Sequence, residues 1–133
     1  MSTPIDLFRL DGRVAIVTGA SRGIGQAIAR GLAAAGAQVT GIGRSEASQD
    51  SDGSFRYSPC DVTRPATFSA LVQRMFAEAG RIDILVNAAG ITLPAQAAGD
   101  PSAVFRQTLA CNLTAVFECC HAVHASGRLW IHH

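Results

Sequence analysis

The stretch TGASRGIG, Thr18 to Gly25, carries glycines at 19, 23 and 25 between an apolar run and an amphipathic segment. In that setting Gly19 permits a tight turn, Gly23 lets backbone approach a pyrophosphate, and Gly25 lets a following helix pack close to the sheet. The helix N-terminus presents N–H groups without intrahelical partners and the positive end of its dipole, which suits phosphate oxygens. The chemistry implied is the holding of a dinucleotide. Thr18, Gly19, Ser21, Arg22, Gly23, Ile24 and Gly25 are the candidate contacts.

A second group with chemical capacity is Cys119, Cys120, His121 and His124, with His132 and His133 near the end. Cys120 and His124 stand i, i+4 on a helix and can share a metal. A zinc site wants three or four converging ligands, and Cys119 and His121 point away from that pair. No metal site is expected. The four cysteines, Cys60, Cys111, Cys119 and Cys120, form no CxxC pair. They read as reduced, buried thiols rather than a disulfide framework.

The elements that must position these residues alternate between two hydrophobic periods. Val14 to Val17 is a continuous apolar run, as in a strand buried on both faces. Ile24, Ala27, Ile28, Leu32 and Ala35 recur at helical spacing, and Gly36 supplies a stop. Gln38 to Gly43 is a second strand, residues 45 to 54 a polar loop or very short helix, and Phe55 to Cys60 a third strand. Thr63 can cap a helix with Pro65 in its first turn and an apolar stripe of Phe68, Leu71, Val72, Met75, Phe76 and Ala79, ended by Gly80. Ile82 to Val86 is a fourth buried strand, Pro101 to about Ala125 a long helix, and Arg128 to Ile131 a fifth strand. The order predicts an α/β fold: a Rossmann-type doubly wound parallel sheet of about five strands in the order 3-2-1-4-5.

The 133 residues leave room for one domain and one sizeable core. Eleven basic residues against ten acidic give a net charge of +1, with no basic block, so neither nucleic acid nor an anionic membrane surface is favoured as a partner. The N-terminus has no apolar signal core, and no run approaches the ~18 apolar residues of a membrane span, so a soluble, cytoplasmic chain is expected.

The TGxxxGxG spacing, together with CDV (Cys60 to Val62), DILVNAAG (Asp83 to Gly90) and CNLTAVF (Cys111 to Phe117), resembles the short-chain dehydrogenase/reductase family, and the likeness runs to about Gly127. The resemblance implies hydride transfer between a nicotinamide dinucleotide and a small carbonyl or alcohol substrate. It places Asp61, with Val62, on the adenine side. It places Asn87, Ala88, Ala89 and Gly90 beside the ribose and nicotinamide, where small residues leave space. It makes Asn112 an active-site residue.

A NAD-binding fold usually carries Asp or Glu at the end of the second strand, on the ribose 2′-OH. That position is Gly43, followed by Arg44, and Arg22 stands in the glycine turn. Two guanidinium groups without a carboxylate can clamp a 2′-phosphate, so NADP(H) is favoured over NAD(H), with Glu46 the nearest counter-argument.

The family uses a Tyr as proton donor, a Lys beside it, a Ser that orients the carbonyl and an Asn that holds a water of the relay. Only Asn112 is offered here. The one Tyr is Tyr57, early in the chain, and all eleven basic residues are Arg, so a Tyr-xxx-Lys pair is impossible within these residues. The family's Ser lies after the fifth strand. GRLWIHH starts in the family's manner, but Trp130, His132 and His133 depart from it. The expectation is a single dinucleotide-binding domain over 1–133, truncated before the family's catalytic segment and inactive as this chain. The alternative is a fragment that binds dinucleotide or a partner without chemistry. With the fifth strand as an open edge, an unstable or self-associating chain is expected, or one that joins a full-length relative through the long helix that carries Cys111 to Phe117.

Overall fold

The computed structural model describes residues 6–46, 53–90 and 100–126, and the backbone of 130–132. Five strands form one parallel sheet: β1 (Val14–Thr18), β2 (Gln38–Gly43), β3 (Arg56–Pro59), β4 (Ile84–Asn87) and β5 (Trp130–His132). Their order is β3-β2-β1-β4-β5, as the alternation of periods predicts. Thr18 stands opposite Ile42 on one side and Asn87 on the other, so the carboxyl ends of the three central strands are level. All five residues of β1 are buried, which explains its unbroken apolar run.

Side-chain alternation along β1 divides the core in two. Val14 and Ile16 join Ile42 and Leu85 under helices α2 (Pro65–Ala79) and α4 (Ala115–Ser126), which contribute Phe68, Leu71, Val72, Ala115, Cys119 and Val123. Ala15 and Val17 join Val39 and Ile84 on the opposite face, covered by helix α1 (Gly23–Ala34).

Three sequence expectations need correction. In α1 the buried residues are Gly25, Gln26 and Ala29, with Ile28, Leu32 and Ala33 packed beside them, whereas Ile24 is 79% exposed and Ala27 is exposed. Gly25 stands where the helix comes closest to the strand end, and a Cβ there would overlap the Gly19 carbonyl. Thr63 does not cap α2. Its hydroxyl and its N–H both donate to Asp61 Oδ1, at 2.6 and 2.9 Å, and Arg64 takes the cap position without a side-chain bond. The long helix is not uniform. It comprises α3 (Pro101–Leu109), a π-helical turn over Ala110–Thr114, and α4. β5 is described over Trp130–His132, and residues 128–129 at the start of the predicted strand lie outside the described residues, as do 47–52 of the predicted loop.

The stop signals hold. Gly36, at φ +105°, follows α1, and Gly80, at φ +76°, closes α2 by donating its N–H to the Phe76 carbonyl. No helix among the described residues is long and apolar enough to cross a membrane.

Candidate dinucleotide site

The strand order reverses between β1 and β4, and a cleft of about 360 Å³ opens at their carboxyl ends. Its size is that of a small-molecule site, and its position is where doubly wound sheets bind ligands.

The glycine-rich turn makes its floor. Gly19 and Gly23 have φ of +66° and +62°, a region that favours glycine. A Cβ on Gly19 would stand 2.7 Å from the Ala88 carbonyl oxygen and the Ala89 nitrogen. A Cβ on Gly25 would overlap the Gly19 carbonyl. The turn is thus wedged between the end of β4 and the start of α1, with no room for a side chain on either side. Thr18 fixes this arrangement from below: its Oγ1 accepts the N–H groups of Ala88 and Ala89, both at 3.1 Å. No side chain caps the N-terminus of α1, where Arg22 holds the cap position. By contrast, Asp100 caps α3 by accepting the Ser102 N–H at 3.1 Å. The first turn of α1 therefore faces the cleft through Arg22, Gly23, Ile24 and Gly25, next to Gly19 and Ser21.

One wall comes from the ends of β2 and β3. Gly43, Arg44 and Ser45 line it, with Cys60, Asp61 and Val62 beneath. A bond of 2.7 Å from the Cys60 N–H to the Gly43 carbonyl ties the two segments. The Thr63 hydroxyl bond holds the Asp61 carboxyl below the usual carboxylate range. Partial burial opposes it, and the Thr63 N–H and the charges of Arg44 and Arg64 add to it. Asp61 is thus ionised at neutral pH, an acceptor at the cleft edge.

The opposite wall is Ala88, Ala89 and Gly90, with Cys111 from the π-helical turn. That turn buries Cys111 against the cleft and leaves Asn112 exposed beside it. A Cβ on Gly90 would come 3.3 Å from Asn112 Oδ1, so the missing side chain is what lets the two approach. π-turns inside α-helices recur at functional sites.

Of the sequence-predicted site residues, Thr18, Asn87 and Asn112 do not line the cleft. Thr18 braces it, Asn87 Nδ2 donates to Cys120 Sγ at 3.5 Å, and Asn112 stands at its margin behind Gly90. The others come together around it. Sequence reasoning missed Ser45, Cys60 and Cys111, each of which adjoins a residue that it did select. All four cysteines are free, and burial pushes the Cys119 thiol up to about 12. The rings of Phe117 and His121 stack at 6.1 Å on the exposed side of α4. Among the described residues, no three His, Cys, Asp or Glu side chains gather in a way that would hold a metal.

Fold and cleft together define a Rossmann-type protein with an open cleft at the switch point. Residues 13–126 match the family model described as short chain dehydrogenase, and the chain belongs to that family. It is 40% identical over 124 residues to the D-threitol dehydrogenase of Mycolicibacterium smegmatis, covering 87% of this chain and 48% of that protein. A short-chain type dehydrogenase/reductase from Mycobacterium marinum superposes with a TM-score of 0.84 at 34% identity, over 94% of this chain and 54% of the other. A gluconate 5-dehydrogenase from Burkholderia cenocepacia J2315, solved in complex with NADP and tartrate, gives a TM-score of 0.78 at 36% identity, over 92% and 51%. The chain spans about half the length of the curated relatives it matches.

Proposed function

We propose that this chain holds NADP(H) in the cleft, as the single dinucleotide-binding domain of an oxidoreductase that acts on a small carbonyl or alcohol. The observation that carries the reading is that Arg22 and Arg44 line one cleft, with Gly43 where a NAD-selective acid would stand. The related gluconate 5-dehydrogenase, solved with NADP, supports it. The glycine-rich turn fits the group: Gly19 and Gly25 let the turn close up against β4 and α1, and a Cβ on Gly23 would meet nothing within 4 Å, so the space beside the first turn of α1 is open. The first turn of α1 would receive the pyrophosphate, Arg22 and Arg44 the 2′-phosphate, and Asp61 with Val62 the adenine. Ala88, Ala89 and Gly90 leave space for the ribose and nicotinamide. When bound, the cofactor supplies or accepts hydride. Of the proton-moving residues that the family uses, these 133 residues supply Asn112 and contain no Lys. This chain on its own binds cofactor and does not turn it over. Its free thiols suit a reducing cytoplasm.

Titration with NADPH and NADH tests the reading. Arg22→Ala and Arg44→Ala are each expected to weaken NADPH binding about tenfold, the size of one charge-assisted contact, and to change NADH binding less than about twofold. Tighter binding of NADH than NADPH by the unaltered chain would overturn the cofactor assignment.

A second reading, association through the helical segment from α3 to α4, rests on a separate observation. Phe105, Leu109, Leu113 and Phe117 follow one another at four-residue spacing and are 64%, 37%, 62% and 66% exposed. A stripe of this kind fits a second copy or a full-length relative. The chain is expected to sediment as a dimer or larger species, and Phe105→Ser with Phe117→Ser to shift it to monomer. A chain that is monomeric before substitution would remove this reading.

A further inference from the structure

We propose that the Tyr57 hydroxyl is a positioning residue for the 2′-phosphate end of the cleft, joining the glycine-rich turn to the segment after β2; the inference rests on the NADP(H) reading above. Tyr57 lies on β3, opposite Gly41 of β2. Its ring runs toward the carboxyl end of the sheet, and its hydroxyl donates to the Ser45 carbonyl at 2.8 Å. The same hydroxyl hydrogen-bonds the Ser21 side chain. Ser21 and Ser45 are the immediate neighbours of Arg22 and Arg44. One hydroxyl therefore ties the backbone next to Arg44 to the side chain next to Arg22, joining two segments the sequence separates by more than twenty residues.

Gly43 shows how closely this arrangement fits. It has no left-handed backbone to explain a glycine. A Cβ there would lie 2.8 Å from the Tyr57 hydroxyl and 3.4 Å from Ser21 Cβ. The tyrosine oxygen thus occupies the space into which a side chain at position 43 would emerge. A side chain at 43 would therefore displace the Tyr57 hydroxyl from this position. Burial pushes the phenol up, the Ser21 bond opposes this and Glu46 reinforces it, so the hydroxyl keeps its proton at neutral pH and remains a donor.

Tyr57→Phe removes the hydroxyl and leaves the ring. NADPH and NADH affinities of the full chain, with a thermal melt of each variant, provide the test. The expected result is a fall of about fivefold or more in NADPH affinity, the size of one or two hydrogen bonds, with NADH binding changed less than about twofold. A merely structural role would weaken both cofactors alike, and that outcome overturns the proposal. So does an unchanged NADPH to NADH ratio in a chain that prefers NADPH, which leaves the cofactor reading intact. A chain that prefers NADH overturns both. Gly43→Ala supplies a second arm. It is expected to weaken NADPH binding by displacing the hydroxyl, and to have little further effect when combined with Tyr57→Phe. Additive losses in the double variant would overturn the coupling.

Discussion

Gly25→Ala will abolish dinucleotide binding, with NADPH and NADH affinities both falling about a hundredfold or more. The methyl group would overlap the Gly19 carbonyl and approach the Thr18 carbonyl oxygen at 3.2 Å. Neither can give way. Gly19 is itself pressed against Ala88 and Ala89, and Thr18 Oγ1 holds the N–H groups of both. The helix must lift instead. Overpacking of this kind costs about 1–3 kcal/mol, and the lift carries the α1 N-terminus away from the phosphates it would bind. The first cost falls on folding and the second on the cofactor, so the variant is expected to fold, with a lower melting temperature, and to fail in binding. Gly31→Ala in the same helix is the control. Nothing lies within 4 Å of the Cβ it would add, so it should bind normally and melt slightly higher, by the ~0.5–1 kcal/mol that separates glycine from alanine in a helix. If Gly25→Ala bound cofactor within threefold of the unaltered chain, the turn would not be the phosphate site.

The strands and their order were legible because each is a short apolar run bounded by turn residues, and alternation with helices leaves few topologies. The glycine turn was legible because its meaning is local: strand, turn, helix. What failed was non-local. Ile24 counted as core by periodicity, yet it lies beside the cleft and is exposed, whereas Gly25, Gln26 and Ala29 are the buried residues of α1. The π-turn at Ala110–Thr114 has no signal in spacing, since the extra residue is accommodated within an unbroken helical pattern. Thr63 looked like a cap until Asp61, two residues earlier, took its hydroxyl. Tyr57 was set aside as the wrong tyrosine for proton transfer. Its reach to Ser45 and Ser21 depends on the register of β3 against β2, which no local pattern encodes.

At the other end of the strands, Asp83→Ala will cost about 2–3 kcal/mol of stability and leave the NADPH to NADH ratio unchanged. Asp83 is buried just before β4, and its Oδ2 accepts the Val14 N–H at 2.8 Å where β1 begins. Its own N–H donates to the Val14 carbonyl at 2.8 Å, so the two residues start the central strand pair together. Arg81 adds a two-pronged contact, at 2.6 Å from Nη2 to Oδ1 and 2.8 Å from Nε to Oδ2. Arg81 and Arg13 are about half exposed and are rehydrated when the carboxylate goes, so the cost falls mainly on the buried Val14 N–H left without its acceptor. Asp83→Asn keeps an acceptor there and should cost about half as much. Burial alone would raise the Asp83 carboxyl, but the Arg81 hydrogen bond, the Val14 N–H and the charges of Arg81 and Arg13 outweigh it and hold it below the usual range. A carboxyl lowered in the folded state contributes stability above its ordinary range near ~4, and that contribution is lost as pH falls through the folded value. Thermal melts between neutral pH and the acid range should therefore converge for the unaltered chain and Asp83→Asn as the pH drops. A gap between them that stayed constant down through the acid range would show that the carboxylate charge at the base of the sheet is not what stabilises it.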